Sequence, residues 1–119
     1  MRSLIITLIL FLSMCGLIVM NNLYINQCAD CIVSLVEEEF ERAPEKAIEK
    51  LDSFWQKNHA IVGLSVGYKE LDKMSDLILD FKTYFELGID SEVKRVRILI
   101  VETADEISRL EKISIENLL

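Results

Sequence analysis

Hydrophobic and polar positions divide this chain into two unlike stretches. From Leu4 to Met20 every residue is apolar or small, with Thr7, Ser13 and Gly16 as mild interruptions. At about 1.5 Å per residue the run makes a helix of roughly 26 Å. Ser3 and Asn21 extend it toward the ~30 Å hydrocarbon core of a bilayer. No charge falls inside it, and Tyr24 follows where an aromatic ring suits the headgroup level. The pattern predicts a transmembrane anchor over residues 1–22.

Beyond the anchor, apolar positions recur at intervals of three and four, the period of a helix, and strand-like alternation is absent. Ile25, Cys28, Ile32, Leu35 and Phe40 fall near one stripe, so the first helix is expected to run straight out of the membrane. Arg42-Ala43-Pro44-Glu45 marks a restart, with proline in the first turn, where its missing N–H costs nothing. The next helix carries Ala47, Ile48, Leu51, Phe54 and Trp55 inward, and Asn58-His59 reads as a turn. A third pattern runs through Ile61, Leu64, Tyr68, Leu71, Ser75, Ile78, Phe81 and Phe85.

Gly63 and Gly67 weaken that third helix by about 1 kcal/mol each relative to alanine, so a kink or break is expected, placed around Leu71-Asp72. Gly88 is read as a C-cap and Asp90 or Ser91 as the next N-cap. The last helix shows Val93, Val96, Ile100, Ala104, Ile107 and Leu110, and residues 113–119 are apolar enough to dock. Each helix has one apolar stripe and one charged face, so none is stable alone. The expected fold class is all-α: one N-terminal transmembrane helix followed by a small antiparallel helical bundle over residues 23–119.

Charge sharpens this picture. Arg2 is the one basic residue of the anchor, which leaves 12 of the 13 basic residues against all 20 acidic ones beyond it, a net of −8. Phosphate binding needs a Lys/Arg footprint, so nucleic acid is excluded as a partner. Repulsion from anionic headgroups is expected to hold the domain off the membrane surface. Arg2 and the free amine precede the span, whereas residues 21–41 hold no Lys or Arg and include Asp30, Glu37, Glu38 and Glu39. The positive-inside rule then puts the N-terminus in the cytoplasm and the acidic bundle outside the cell.

Two rivals to an uncleaved signal-anchor stay open. A cleaved signal peptide wants a shorter apolar region ending in small residues. Here the run continues past Ser13-Met14-Cys15-Gly16, and no Ala-x-Ala follows. A lipoprotein anchored through Cys15 wants a small residue directly before the cysteine, where this chain has Met14.

The most tempting chemical motif is Cys28-Ala29-Asp30-Cys31, a possible disulfide or redox pair. Such a pair is reactive where a strand feeds a helix N-terminus and lowers the first thiol's pKa. Here it falls inside a helix and no second pair exists to complete a zinc site. Both therefore read better as small core residues. His59 is the single histidine and has no evident catalytic partner. Glu37-Glu38-Glu39 with Glu41 lacks the glycine-containing spacing of a calcium loop. Asp76 and Asp80 share a helix face, and Lys94, Arg95 and Arg97 form the one dense basic cluster. Gly63-x-x-x-Gly67 imitates a close-packing motif that belongs to membrane spans. No phosphate-cradling loop, metalloprotease helix or nucleophile elbow is present. Neither a cofactor nor a metal is expected, and no catalytic set emerges.

Three segments carry a family likeness: the start, Met1-Arg2-Ser3-Leu4-Ile5-Ile6 through Asn21-Asn22; Ala47-Ile48-Glu49-Lys50-Leu51-Asp52-Ser53-Phe54-Trp55; and the close, Ser114-Ile115-Glu116-Asn117-Leu118-Leu119. Over nearly its full length the chain resembles the bacterial family known as domain of unknown function four-three-six-three. The resemblance implies a short single-span protein of Gram-positive, often spore-forming, bacteria, encoded near membrane proteins typified by YetF. It carries no activity and no catalytic residues, and the cysteine pair lies outside the family's pattern.

The leading expectation is a non-enzymatic interaction module, held in the cell membrane through residues 4–20 and binding another membrane or envelope protein. A thiol-redox or metal-responsive protein using Cys28 and Cys31 is the alternative from a different class, and a lipoprotein anchored through Cys15 is a third.

Overall fold

Almost every residue is helical, because the chain offers one proline and four glycines to interrupt it. The computed structural model describes residues 1–118, and the side chains of all of these but Ser65 and residues 113–118. Helix α1 covers Arg2–Ser34, passes through one π-helical turn at Leu35–Glu39, and ends in the short α2, Phe40–Arg42. These three form a single rod of 41 residues, Arg2–Arg42. Helices α3 (Pro44–Val66), α4 (Tyr68–Leu87) and α5 (Asp90–Leu118) then pack against its distal half. The all-α expectation holds, and no strand occurs among the described residues.

Long-range pairs fix the topology. Lys50 meets Glu39 at 3.3 Å while Tyr24 donates to Asn58, so α3 runs antiparallel to α1. Trp55 Nε1 donates to Ser75 at 2.7 Å and Lys82 lies 3.8 Å from Asp52, which turns α4 back along α3. Lys73 with Glu106 and Ser108 with Asn26 bring α5 down beside α1 again. The result is an up-down-up-down four-helix bundle with one helix overlong. The molecule measures 67 Å along its principal axis. Residues 2–14 of α1 are exposed on every side.

The core follows the stripes. Ile25, Cys28, Ile32 and Leu35 are buried along α1, and Ala47, Ile48, Leu51 and Trp55 along α3. Val93, Val96, Ile100, Ala104 and Ile107 form the buried face of α5. A strict stripe on the first rod would turn Phe40 away from this core. The π turn adds one residue, with the Phe40 amide reaching back to the Leu35 carbonyl, and Phe40 then meets Phe81 and Phe85 at 5.3 and 5.9 Å between ring centroids. Arg97 secures the same place from α5. Its guanidinium lies 4.4 Å above the Phe40 ring and donates to the carbonyls of Val36, at 3.0 Å, and Glu37, at 3.5 Å. A charged donor on carbonyls at a π turn is worth about 1.5–3 kcal/mol, more than the exposed ion pairs that accompany it.

Three local expectations are corrected. Asn58-His59 is no turn, because α3 passes straight through it. Asn58 donates to the Phe54 carbonyl at 2.8 Å, and His59 Nδ1 lies 3.2 Å from the Trp55 carbonyl, so both side chains satisfy themselves on the preceding turn without opening the helix. The break falls at Gly67 (φ 92°, ψ 167°) and not at Leu71-Asp72. That break resets the phase of the third pattern. Val62 ends the buried face of α3, and Leu71, Met74, Ile78 and Phe81 start that of α4, while Ile61, Leu64 and Tyr68 are exposed. Gly88 caps α4 in the left-handed region (φ 73°, ψ 23°), as expected. The docking expected of residues 113–119 lies outside the described side chains.

Gly67 occupies backbone that only glycine enters without strain, so Gly67→Ala is expected to destabilise the chain by about 1–3 kcal/mol. Gly88→Ala, in the left-handed helical region, should cost about 1 kcal/mol. Urea unfolding of the full chain in detergent, followed by helical circular dichroism, measures both, and the absence of destabilisation at Gly67, or a clearly larger effect at Gly88, would contradict the assignment.

Candidate functional site

The cysteine pair lies on α1 just beyond its most apolar part. Cys28 is buried in the core and Cys31 is half-buried, and both thiols are free. Burial pushes the Cys28 thiol up, a hydrogen bond with the Tyr24 phenol opposes this, and the neighbouring Cys31 adds to the rise. Cys31 is pushed up by burial and then by the charge of Glu39. A nucleophilic or redox-active thiol needs the opposite shift. Burial, together with Cys28, also raises the Tyr24 phenol to about 12. These residues are thus linked by packing and hydrogen bonding, with their neutral forms favoured.

Next to the pair lies a polar layer that sequence reasoning missed. Asn21 Nδ2 donates to Glu111 Oε1 at 3.0 Å, the Ser108 hydroxyl donates to Asn26, and the Tyr24 phenol donates to Asn58. Glu111 is only 5% exposed and Glu70 only 7%. Asn22 Oδ1 and Glu70 Oε2 are buried without a hydrogen-bond partner among the described residues. Each such atom costs about 1–3 kcal/mol. The signal was present in part, since Glu111 follows Ile107 by four and so falls on the buried stripe that was assigned to Leu110. Leu110 is instead 37% exposed. The layer can lock register: sliding α5 by one turn would part Glu111 from Asn21 and Ser108 from Asn26.

The remaining candidates are scattered. His59 rests against its own helix, Asp76 and Asp80 are exposed, and Arg95 pairs with Glu92 at 2.7 Å on the surface. Glu39 of the acidic run meets Lys50. An open groove of about 500 Å³ between α3 and α4 is bordered by Glu45, Glu49, Asp52, Lys82, Phe85 and Glu86. Among the described residues no group of three or more His, Cys, Asp or Glu side chains is arranged to hold a metal ion. No family model matches the chain, and no curated protein or solved structure matches it.

Raised thiol pKa values make a kinetic prediction. Thiolate appears only as pH climbs through the folded-state pKa, so iodoacetamide should label Cys28 and Cys31 far more slowly in the native chain than in denaturant at neutral pH. The native pH–rate profile should also rise at higher pH than the unfolded one. Fast native labelling of Cys28 below pH 8 would show an activated thiol instead.

Proposed function

We propose that this chain is a non-enzymatic, membrane-anchored interaction module that presents a helical bundle to another membrane or envelope protein. One observation carries the reading: the stretch long and apolar enough to cross a membrane and the first helix of the bundle are the same uninterrupted rod, Arg2–Arg42. A flexible tether lets a domain roam, whereas a continuous helix holds its surface at one height above the membrane. That constraint suits a partner fixed in the same membrane.

The charge distribution supports an N-terminus in the cytoplasm and a bundle outside it, because Arg2 precedes the apolar run and the acids follow it. The likeness to short single-span proteins encoded near YetF-like membrane proteins makes a neighbouring membrane protein the first partner to seek. Burial of Cys28 and the raised pKa values of both thiols weigh against the thiol-redox reading. Cys15 sits in mid-helix, half-buried, with no local feature that marks it for lipid attachment.

Exposed apolar side chains on α4 and α5, among them Leu79 and Ile98, are natural positions for a photo-cross-linking residue. In cells at native expression, one or both should trap a single membrane or envelope protein reproducibly. Probes around the whole circumference of the bundle that trap no protein would end this reading.

A further inference from the structure

The bare part of α1 is too short to cross a bilayer by itself. Residues 2–14 stand clear of every other helix, and 13 residues span only about 20 Å. A hydrocarbon core of about 30 Å needs roughly seven more residues, which carries its far edge to about Asn21. One side of α1 is already covered at that depth, since Cys15 and Ile18 are half-buried. The bundle and the apolar run therefore overlap along the rod.

Two parts of the bundle reach this depth: the last turns of α5, which pass Asn21 at Glu111 and run on to Leu118, and the corner between α3 and α4. Traced from Tyr24 through its partner Asn58 and on along α3, the corner stands beside Gly16. Traced from Asn26 through Ser108, and then from Glu106 through Lys73, it stands beside Asn22. Both routes put it within about two helical turns of Met20, at the edge of the hydrocarbon.

Its surface chemistry fits that position. Residues 60–68, Ala-Ile-Val-Gly-Leu-Ser-Val-Gly-Tyr, contain no charge. Leu64 is 86% exposed and Tyr68 is 76% exposed, although each has an apolar body to bury. The polar neighbours are sorted only in part by sign. Glu70 and Glu111 turn inward, whereas Lys57, Lys69 and Lys112 are exposed, and Asp72 is an exposed acid further along α4. A chain with a net charge of −7 thus shows, among the described residues at this end, more lysines than carboxylates to phosphate headgroups. Tyrosine at such a corner suits the interface, with its ring in the acyl boundary and its hydroxyl in water.

We propose that the α3–α4 corner, led by Leu64 and Tyr68, is a second membrane contact, inserted into the headgroup–acyl boundary of the same bilayer that α1 crosses. The inference rests on the membrane-anchored reading above. With two points of contact the bundle cannot tilt away from the surface.

The test uses the full chain in vesicles of phosphatidylcholine with a minority of phosphatidylglycerol. A photoreactive p-benzoylphenylalanine replaces Leu64, Tyr68, Leu10 or Leu79 in four separate variants, and mass spectrometry reads the adducts. Leu64 and Tyr68 are exposed, so neither change disturbs the core, and the second guards against failure of the first. Phospholipid adducts at Leu64 or Tyr68 and at Leu10, with none at Leu79, are expected. Adducts at Leu10 alone would overturn the proposal and leave the anchored reading standing. Adducts of Leu64 and Tyr68 to a second copy of the chain in place of lipid would overturn it too. No lipid adduct at any position, Leu10 included, would remove the anchored reading and the corner contact together.

Discussion

Everything in this molecule depends on one helix satisfying two different surroundings without a break. Over residues 4–14 α1 is apolar or small on every side and exposed, which suits a segment facing lipid. From Ile25 onward only one face is apolar, and that face is the floor of the bundle. The change happens within two turns, at Asn21, Asn22, Tyr24 and Asn26. Their side chains hydrogen-bond or abut α3 and α5, so the polar transition is covered by protein. Loss of helical continuity there would free the bundle from its anchor and also strip the core of its longest wall.

The two ends of the bundle solve opposite problems. At the distal end the rod must stop facing inward on a strict helical stripe, and the π turn with Phe40 and Arg97 achieves this. The extra residue brings Phe40 onto Phe81 and Phe85, and the guanidinium satisfies carbonyls at that turn. At the proximal end the problem is polarity. Carboxylates point inward at Glu70 and Glu111, the apolar corner points outward at Leu64 and Tyr68, and lysines ring the same level. Net charge predicts a domain held off the surface, whereas the proposed corner contact turns on which charges lie at this end, a distinction that a sum over 20 acids does not make.

What could be read from the sequence was the part governed by local period. The stripes of α1 and α5, the proline restart at Pro44 and the glycine cap at Gly88 follow from spacing and backbone preference alone. The break falls at Gly67 and not around Leu71-Asp72: spacing shows that two glycines weaken the helix, but the positive φ that ends α3 belongs to Gly67 and not to Gly63. A Cβ on Gly63 would lie 2.8 Å from a Leu71 methyl, so Gly63 is kept for close approach within the helix while Gly67 turns the chain. Long-range partners were not legible. Arg97 is separated from Val36 by 61 positions and Glu111 from Asn21 by 90, and no period connects them. Cys28 and Cys31 were rightly placed on a helix in a core-like pattern, but the direction of their pKa shifts needed the burial itself.

Hydrogen–deuterium exchange on the full chain in lipid vesicles tests the continuity of α1 most directly. Slow exchange running without a gap from Cys15 through Val36 is the expected result, with the amides of Asn21, Asn22 and Tyr24 as protected as those of Ile25 and Ile32. A band of fast exchange between Met20 and Asn26 would mean that a flexible hinge joins anchor to bundle. The fixed height of the bundle, the polar layer that locks its register and the second membrane contact would then all fall.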